Sequence, residues 1–495
     1  MVNSKLVSVL RSFSKDEIKE FRKFVDSPFF NKEGKYVLRF YDEIKKYYPA
    51  FENKGLERSV LFNKLYPGKK YDDSIMRKLS STLQKLAEEY LNYNVFRSSG
   101  YSKDLLKLKM FREKRLINHF ELKSSELDVS FNNTEEKIDI EYFRNRYKLE
   151  LEKINYYMDF HSLIKQQQES MQNIQKYIVY DSLINLLDIG YNLLVGLTSM
   201  YSGKANIVMQ FLETIDLESV SKMLKKESPD FFPVFELFYV RYKSFLNFKD
   251  EDYPKYKKLA MKNIHYFDKE NRFTIMVSLQ NFCIRKFVSG QKHFAEELHE
   301  IHKEMLAKDL IINDKNGYMN MNSYRNIILT AQTIGKYSWM EKFIIEHEKH
   351  LIPEQRESLT AWAKASLDYD KEEFESALRK LQKVKNDHFL TKHDIKILMM
   401  KIFYELKDFE TALSFADTYR HMVENDKTYA EAHRNSHRSF AIFYSRFIKL
   451  IANENLKELP FLKNEIEKSV TNSKDWLLLK ISEKIKQPDS FPLRN

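Results

Sequence analysis

The scarcity of glycine and proline constrains this chain most. Its 495 residues include only ten of each. Together they are about 4% of the chain, against roughly 12% in average usage. Sheets need glycine at hairpin turns, and phosphate-binding enzymes need it where backbone approaches a ligand. A chain this poor in both is expected to be all-α, with long helices and short connections. Hydrophobic residues make up 43% of it, enough to bury a core, so wholesale disorder is excluded. The length suits several domains or one long solenoid.

The chemistry-bearing residues are sparse. Cys283 is the single cysteine, so no intramolecular disulfide or thiolate metal site can form. Lying between Phe282 and Ile284, it reads as a small buried hydrophobe. Histidines pair locally as His299 with His302, His347 with His350, and His433 with His437. The last pair has the i,i+4 spacing of a helical metal site but lacks the glutamate of a zinc protease. All three pairs read as surface histidines on charged helices. Glu296, Glu297 and Glu300 read as a solvated helix face. No GxxxxGK[ST], GxGxxG or G-x-S-x-G pattern occurs. The expectation is therefore a non-enzyme with no catalytic, cofactor-binding or metal-binding residues and no cofactor. Residues 1–10 lack a leader pattern, and the most apolar stretch, 183–200, is interrupted by Asn185, Asp188 and Asn192. A cytoplasmic protein without a membrane span is expected.

Charge is distributed unevenly. Residues 1–120 hold 26 Lys and Arg against 15 Asp and Glu, a surplus of +11. That equals the net charge of the whole chain, so the remainder is neutral. A basic module can meet nucleic acid or an acidic partner. Lysine-rich, alanine-poor composition throughout also fits an AT-rich genome, in which case the surplus has no function.

Local signals place the N-terminal helices. Ser14-Lys15-Asp16-Glu17 is a capping box, followed by Ile18, Phe21, Phe24 and Val25 at helical spacing. Ser27-Pro28 ends that helix. Phe29-Phe30-Asn31 is an aromatic turn, read as local packing or as an exposed anchor for a partner. Helices follow over 36–47, 57–65 and 73–91, the last burying Ile75, Leu79, Leu83, Leu86 and Tyr90. Residues 92–100 read as a weak hairpin. Residues 101–270 read as long, irregular helices, with a loop at 131–134 and a helix starting at Thr134.

A repeat emerges in the second half. Gly335-Lys-Tyr-Ser-Trp339-Met-Glu-Lys342, Asp370-Lys-Glu-Glu-Phe374-Glu-Ser-Ala377 and Glu405-Leu-Lys-Asp-Phe409-Glu-Thr-Ala412 align with their aromatics 35 residues apart. A looser copy centres on Phe294. Each aromatic opens the second helix of a hairpin, and a small residue three positions on lets the helices approach. First helices are expected over 273–288, 324–334, 359–367 and 395–404. With Ala361-Trp362 and Ala365 ahead of it, the Phe374 copy resembles a tetratricopeptide repeat, and the resemblance covers residues 272–425. It implies a right-handed superhelix of stacked helix hairpins that binds a protein or peptide partner. The chain then divides into a small basic helical module (1–100), a long-helix region (101–270), repeats (271–455) and capping helices with Trp476 (456–495).

Residues 57–91 carry a second resemblance. Leu61-Phe62-Asn63-Lys64-Leu65-Tyr66-Pro67, then Arg77-Lys78-Leu79, Leu83 and Leu86, resemble the winged-helix domain of bacterial transcriptional activators, which carry such repeats behind it. It implies Lys69, Lys70, Arg77, Lys78, Ser81 and Lys85 as nucleic-acid contacts, within a region spanning residues 1–120. The leading expectation is a non-enzymatic scaffold for a protein or peptide partner. The alternative is a nucleic-acid-binding regulator.

Overall fold

The computed structural model describes residues 4–133, 141–160, 164–199, 206–314, 316–382, 384, 389–426 and 431–486. Within them every named element is a helix, and the one β-bridge, between Ile312 and Met319, stands isolated. The fold class is all-α. The chain forms two compact units: residues 1–133 with 145–174, and 134–144 with 175–495.

In the first unit, helices Lys5–Arg11, Lys15–Asp26, Lys35–Ile44 and Arg58–Leu65 pack on the 26-residue helix Asp73–Ser98. The capping box forms as expected: Glu17 N donates to Ser14 Oγ at 3.2 Å, and Ser14 N donates to Glu17 Oε2 at 2.7 Å. Phe21 anchors the core, its ring 5.0 Å from Tyr41, 5.3 Å from Tyr90 and 5.4 Å from Phe13. The long helix buries Met76 where Ile75 was expected; Ile75 packs at the edge. Met76, Leu79, Leu83 and Tyr90 follow one stripe at helical spacing, and Ile75 falls a residue outside it. Residues 92–98 continue this helix and form no hairpin, because no glycine or proline interrupts it before Gly100. Phe131 and Asn132, expected in a loop, end helix Ile117–Asn132; Thr134 lies outside the described residues.

In the second unit, consecutive helices pack side by side. Lys269–Val288 lies on Phe294–Ala307, Pro353–Asp370 on Phe374–Leu381, and Phe389–Glu405 on Phe409–Asn425. Ala377 and Ala412 are fully buried. Gly190 serves the same close approach earlier in the unit. A Cβ there would stand 2.7 Å from Leu212 Cδ1 and 2.9 Å from Tyr242 Cε2. Gly190 lies in helix Ile164–Ser199, the one described helix long and apolar enough to cross a membrane by length and composition. Cys283 is fully buried, and burial pushes its thiol up to about 12.

The connections share one device. Gly335 has φ +69°, Glu372 +63° and Lys407 +59°. Glu372 N donates to Tyr369 O at 3.1 Å and Glu373 N to Asp368 O at 2.9 Å. Lys407 and Asp408 repeat the pattern on Tyr404 and Phe403, and Gly335 and Lys336 repeat it on Gln332 and Ala331. This is the Schellman motif, in which a left-handed residue lets two amides satisfy the last helix carbonyls. Gly290, Asp309, Glu454 and Arg115 carry it too.

The motif also sets where the next helix begins. The second helices start two residues after each left-handed residue, at Tyr337, Phe374 and Phe409. Tyr337, not Trp339, is therefore the counterpart of Phe374. Fully buried Met340 takes the place of Ala377, and Lys342 faces solvent. These three helices begin 37 and 35 residues apart, their starts set by the turn residue and not by the nearest bulky aromatic.

A non-glycine residue in the left-handed region is strained by roughly 1–2 kcal/mol. Glu372→Gly and Glu454→Gly should therefore each stabilise the fold by up to about 1 kcal/mol after the added chain entropy of glycine, and so raise the urea unfolding midpoint. A lowered midpoint in both would mean that the glutamate side chains hold these turns.

Candidate partner-binding surfaces

The basic residues singled out in the first unit lie together, though charge does not stand free at each. Arg77, Lys78, Ser81 and Lys85 are exposed along one side of helix Asp73–Ser98, and Lys69 and Lys70 are exposed on the preceding turn. Arg77 Nε pairs with Asp73 at 2.6 Å, and Lys78 with Glu33 at 2.9 Å. Asp73 also accepts from Tyr71 and Arg58, which lowers its pKa to about 2. Lys69 Nζ sits 5.7 Å from the Tyr66 ring centroid.

In the aromatic turn one ring packs locally and its neighbour is exposed. Phe30 stacks on Phe24 with centroids 3.8 Å apart, while Phe29 is 80% exposed. Buried Asn31 fixes the turn, its amide donating to Val25 O at 2.9 Å and Gly34 O at 3.0 Å.

Three histidines depart from the surface reading. His302 is 0% exposed, His299 6% and His437 9%, while His433 is exposed and His347 and His350 are intermediate. The cause is helical phase. His299 and His302 continue the stripe of Ala295, Leu298 and Met305, and His437 precedes Phe440, Ala441 and Tyr444 at spacings of three, four and seven. Neither ring nitrogen of His302 has a hydrogen-bond partner. Tyr419 Oη lies 2.7 Å from His437 Nδ1 and 3.1 Å from His393 Nδ1, so one imidazole accepts its proton and the other donates to it. Of Glu296, Glu297 and Glu300 on helix Phe294–Ala307, Glu297 accepts from Tyr253 and Lys257, and Glu300 from Lys303. Among the described residues no group of three His, Cys, Asp or Glu side chains could hold a metal ion.

The first helices of successive pairs carry a polar seam that sequence reasoning missed. Arg325 of helix Met321–Thr333 forks onto Asp394 of helix Phe389–Glu405, with Nη2 2.8 Å from Oδ1. Gln332 Nε2 donates to Asp370 Oδ1 at 3.1 Å, while Asp370 Oδ2 is buried with no hydrogen-bond partner. Burial raises Asp370 to about 6 and pushes Lys401 down to about 8. Beside them Trp476 Nε1 donates to Tyr369 Oη at 2.8 Å, and Lys480 pairs with Glu405 at 3.0 Å. The available signal was a pair of polar residues seven apart on each of two helices, Arg325 with Gln332 and Asp394 with Lys401.

The chain has no significant match among protein-family models, curated proteins or solved structures. Its function must be argued from these surfaces alone.

The buried histidines set a pH response. Burial lowers His302 and His437 to about 3, with repulsion from neighbouring histidines adding to it. Unfolded histidine takes up its proton near pH 6.5. Between those values acid binds only the unfolded chain, so each group removes about 1.4 kcal/mol of stability per pH unit as pH falls, and nothing above pH 6.5. Asp370 acts in the opposite direction below about pH 6, and the histidines outnumber it. The unfolding midpoint should drop between pH 6.5 and 5. His302→Leu should flatten that drop by one group's share and raise the midpoint at pH 5, since it removes an unsatisfied buried polar group. A slope unchanged by His302→Leu would show that His302 protonates in the folded chain.

Proposed function

We propose that this chain is a non-enzymatic helical-repeat scaffold. In this reading its helix hairpins stack into a right-handed, tetratricopeptide-like superhelix, and the first helices of the pairs hold a protein or peptide segment. The stacking reading is supported by contacts between alternate helices: Met321–Thr333 touches Pro353–Asp370, which touches Phe389–Glu405. A hairpin that cannot bury its apolar face alone needs such neighbours. The observation that carries the binding reading is the seam of Gln332, Asp370 and Lys401. It offers a buried carboxylate oxygen without a hydrogen-bond partner, beside the Lys401 ammonium. Groups of this kind gain most from a segment that brings its own amides and carbonyls.

The test is peptide selection against the full-length protein from a displayed random library, followed by hydrogen exchange with the selected peptide. Protection concentrated on residues 321–333, 353–370 and 389–405, weakened at least tenfold by Asp370→Asn, is expected. Protection elsewhere, or binding indifferent to Asp370→Asn, would sink the reading.

One observation favours a second reading, a nucleic-acid-binding regulator. Lys69, Lys70, Arg77, Lys78, Ser81 and Lys85 all stand exposed around the start of a single long helix. If they meet phosphates, affinity for duplex DNA should fall steeply between 50 and 200 mM salt, by roughly a factor of ten or more for a few contacts. Binding that is absent at low salt, or insensitive to it, removes this reading.

A further inference from the structure

Helix Tyr101–Glu113 of the first unit has a covered face and an open one. It buries Leu105 and Leu108 and packs on helix Ile117–Asn132. On the other side Leu106 is 56% exposed and Met110 45%. These two stand four residues apart, one above the other on the helix surface. Counted as a heptad with Leu106 at d and Met110 at a, Leu105 and Leu108 fall at c and f, on the covered side. The flanking e and g positions are Lys107, Lys109 and Lys114, all exposed. Glu113, at the next d position, ends the apolar stripe.

Charge supplies the independent observation. Residues 101–115 carry six Lys and Arg against Asp104 and Glu113. Arg112 is withdrawn from the open face, pairing with Glu152 at 3.0 Å and Asp159 at 2.9 Å. Asp104 is divided between Lys107 at 3.4 Å and Lys123 at 2.9 Å, and Lys109 lies 4.0 Å from Glu113. Among the described residues Lys114 and Arg115 have no ion-pair partner, and Lys103 donates to Arg97 O at 3.1 Å. The open face therefore holds more positive charge than the chain neutralises, set on both sides of an apolar stripe. Cations at e and g beside apolar a and d positions select a helix with carboxylates at the matching places. Phosphates would engage the lysines and leave Leu106 and Met110 exposed, and a bilayer needs a broader apolar face than two side chains give.

We propose that this face docks an acidic amphipathic helix of a partner protein. The apolar stripe of that helix lies on Leu106 and Met110, and its glutamates or aspartates pair with Lys107, Lys109 and Lys114. Burial of the stripe supplies contact area, and the lysines set orientation and partner choice. The face shares no residue with the seam at Asp370 or with the basic set from Lys69 to Lys85, so each site stands or falls alone.

The experiment uses the full-length protein and a fluorescein-labelled three-heptad peptide with leucine at a and d and glutamate at e and g, read by anisotropy at low salt. Binding is expected, weakened about tenfold or more by Lys107→Glu combined with Lys114→Glu, and severalfold by Leu106→Ala combined with Met110→Ala. Lys70→Glu combined with Lys85→Glu changes the net charge equally and should leave affinity within about twofold, as should Asp370→Asn. The substituted residues of the first unit are all exposed, and circular dichroism checks that each variant folds. A peptide with alanine in place of leucine, its charge unchanged, should compete at least tenfold less well. Equal competition by the alanine peptide would overturn the apolar stripe and with it the assignment to an amphipathic helix. No binding, affinity unmoved by the Lys107 and Lys114 reversal, or equal loss in the Lys70 and Lys85 reversal would overturn the site. So would duplex DNA or phosphatidylserine vesicles binding through Lys107 and Lys114 where the leucine peptide does not. Loss in Asp370→Asn alone would move the binding to the seam.

Discussion

A helix that stops must satisfy its last carbonyls, and this chain does so repeatedly with one left-handed residue. That requirement fixes where the second helix of each hairpin begins, and so which residues face inward. Tyr337, Phe374 and Phe409 open their helices because Gly335, Glu372 and Lys407 turn the chain two residues earlier. The packing of Met340, Ala377 and Ala412 follows from that register. The capping hydrogen bonds are backbone to backbone, so the device tolerates almost any side chain at a cost of order 1 kcal/mol. Charged residues occupy five of the seven such turns, at Arg115, Asp309, Glu372, Lys407 and Glu454.

This explains what was legible in the sequence. Periodicity and caps located the helices well, and the shortage of glycine pointed to an all-α fold. The same shortage hid the turns. With glutamate or lysine at the left-handed position, nothing in composition marks the stop, and the eye aligns the most conspicuous aromatic. Trp339 is the conspicuous aromatic here, yet it lies two residues inside its helix. Glycine at 335 and 290 was the surviving clue.

The polar interior was less legible. A histidine or aspartate reads as surface by default, and only its phase against flanking apolar residues says otherwise. His302 lies four residues after Leu298 and three before Met305, inside the stripe. Asp370 and Lys401 sit on helices whose apolar content draws attention away from them. Five basic residues of the first unit, Lys69, Lys70, Arg77, Lys78 and Lys85, stand exposed together with Ser81. Their charge is partly spent on Asp73 and Glu33, which no linear pattern announces.

In the second unit the helix packing joins neighbours in sequence: each helix lies mainly on the one before it and the one after it. Contacts of that kind close short loops, and short loops form quickly. Such a chain need not wait for its C-terminus before it begins to acquire structure. As it leaves the ribosome at several residues per second, each completed hairpin can dock on the last, which keeps little apolar surface exposed at any moment. A long protein without sheet edges to mispair thus has a route through synthesis that demands little help from chaperones.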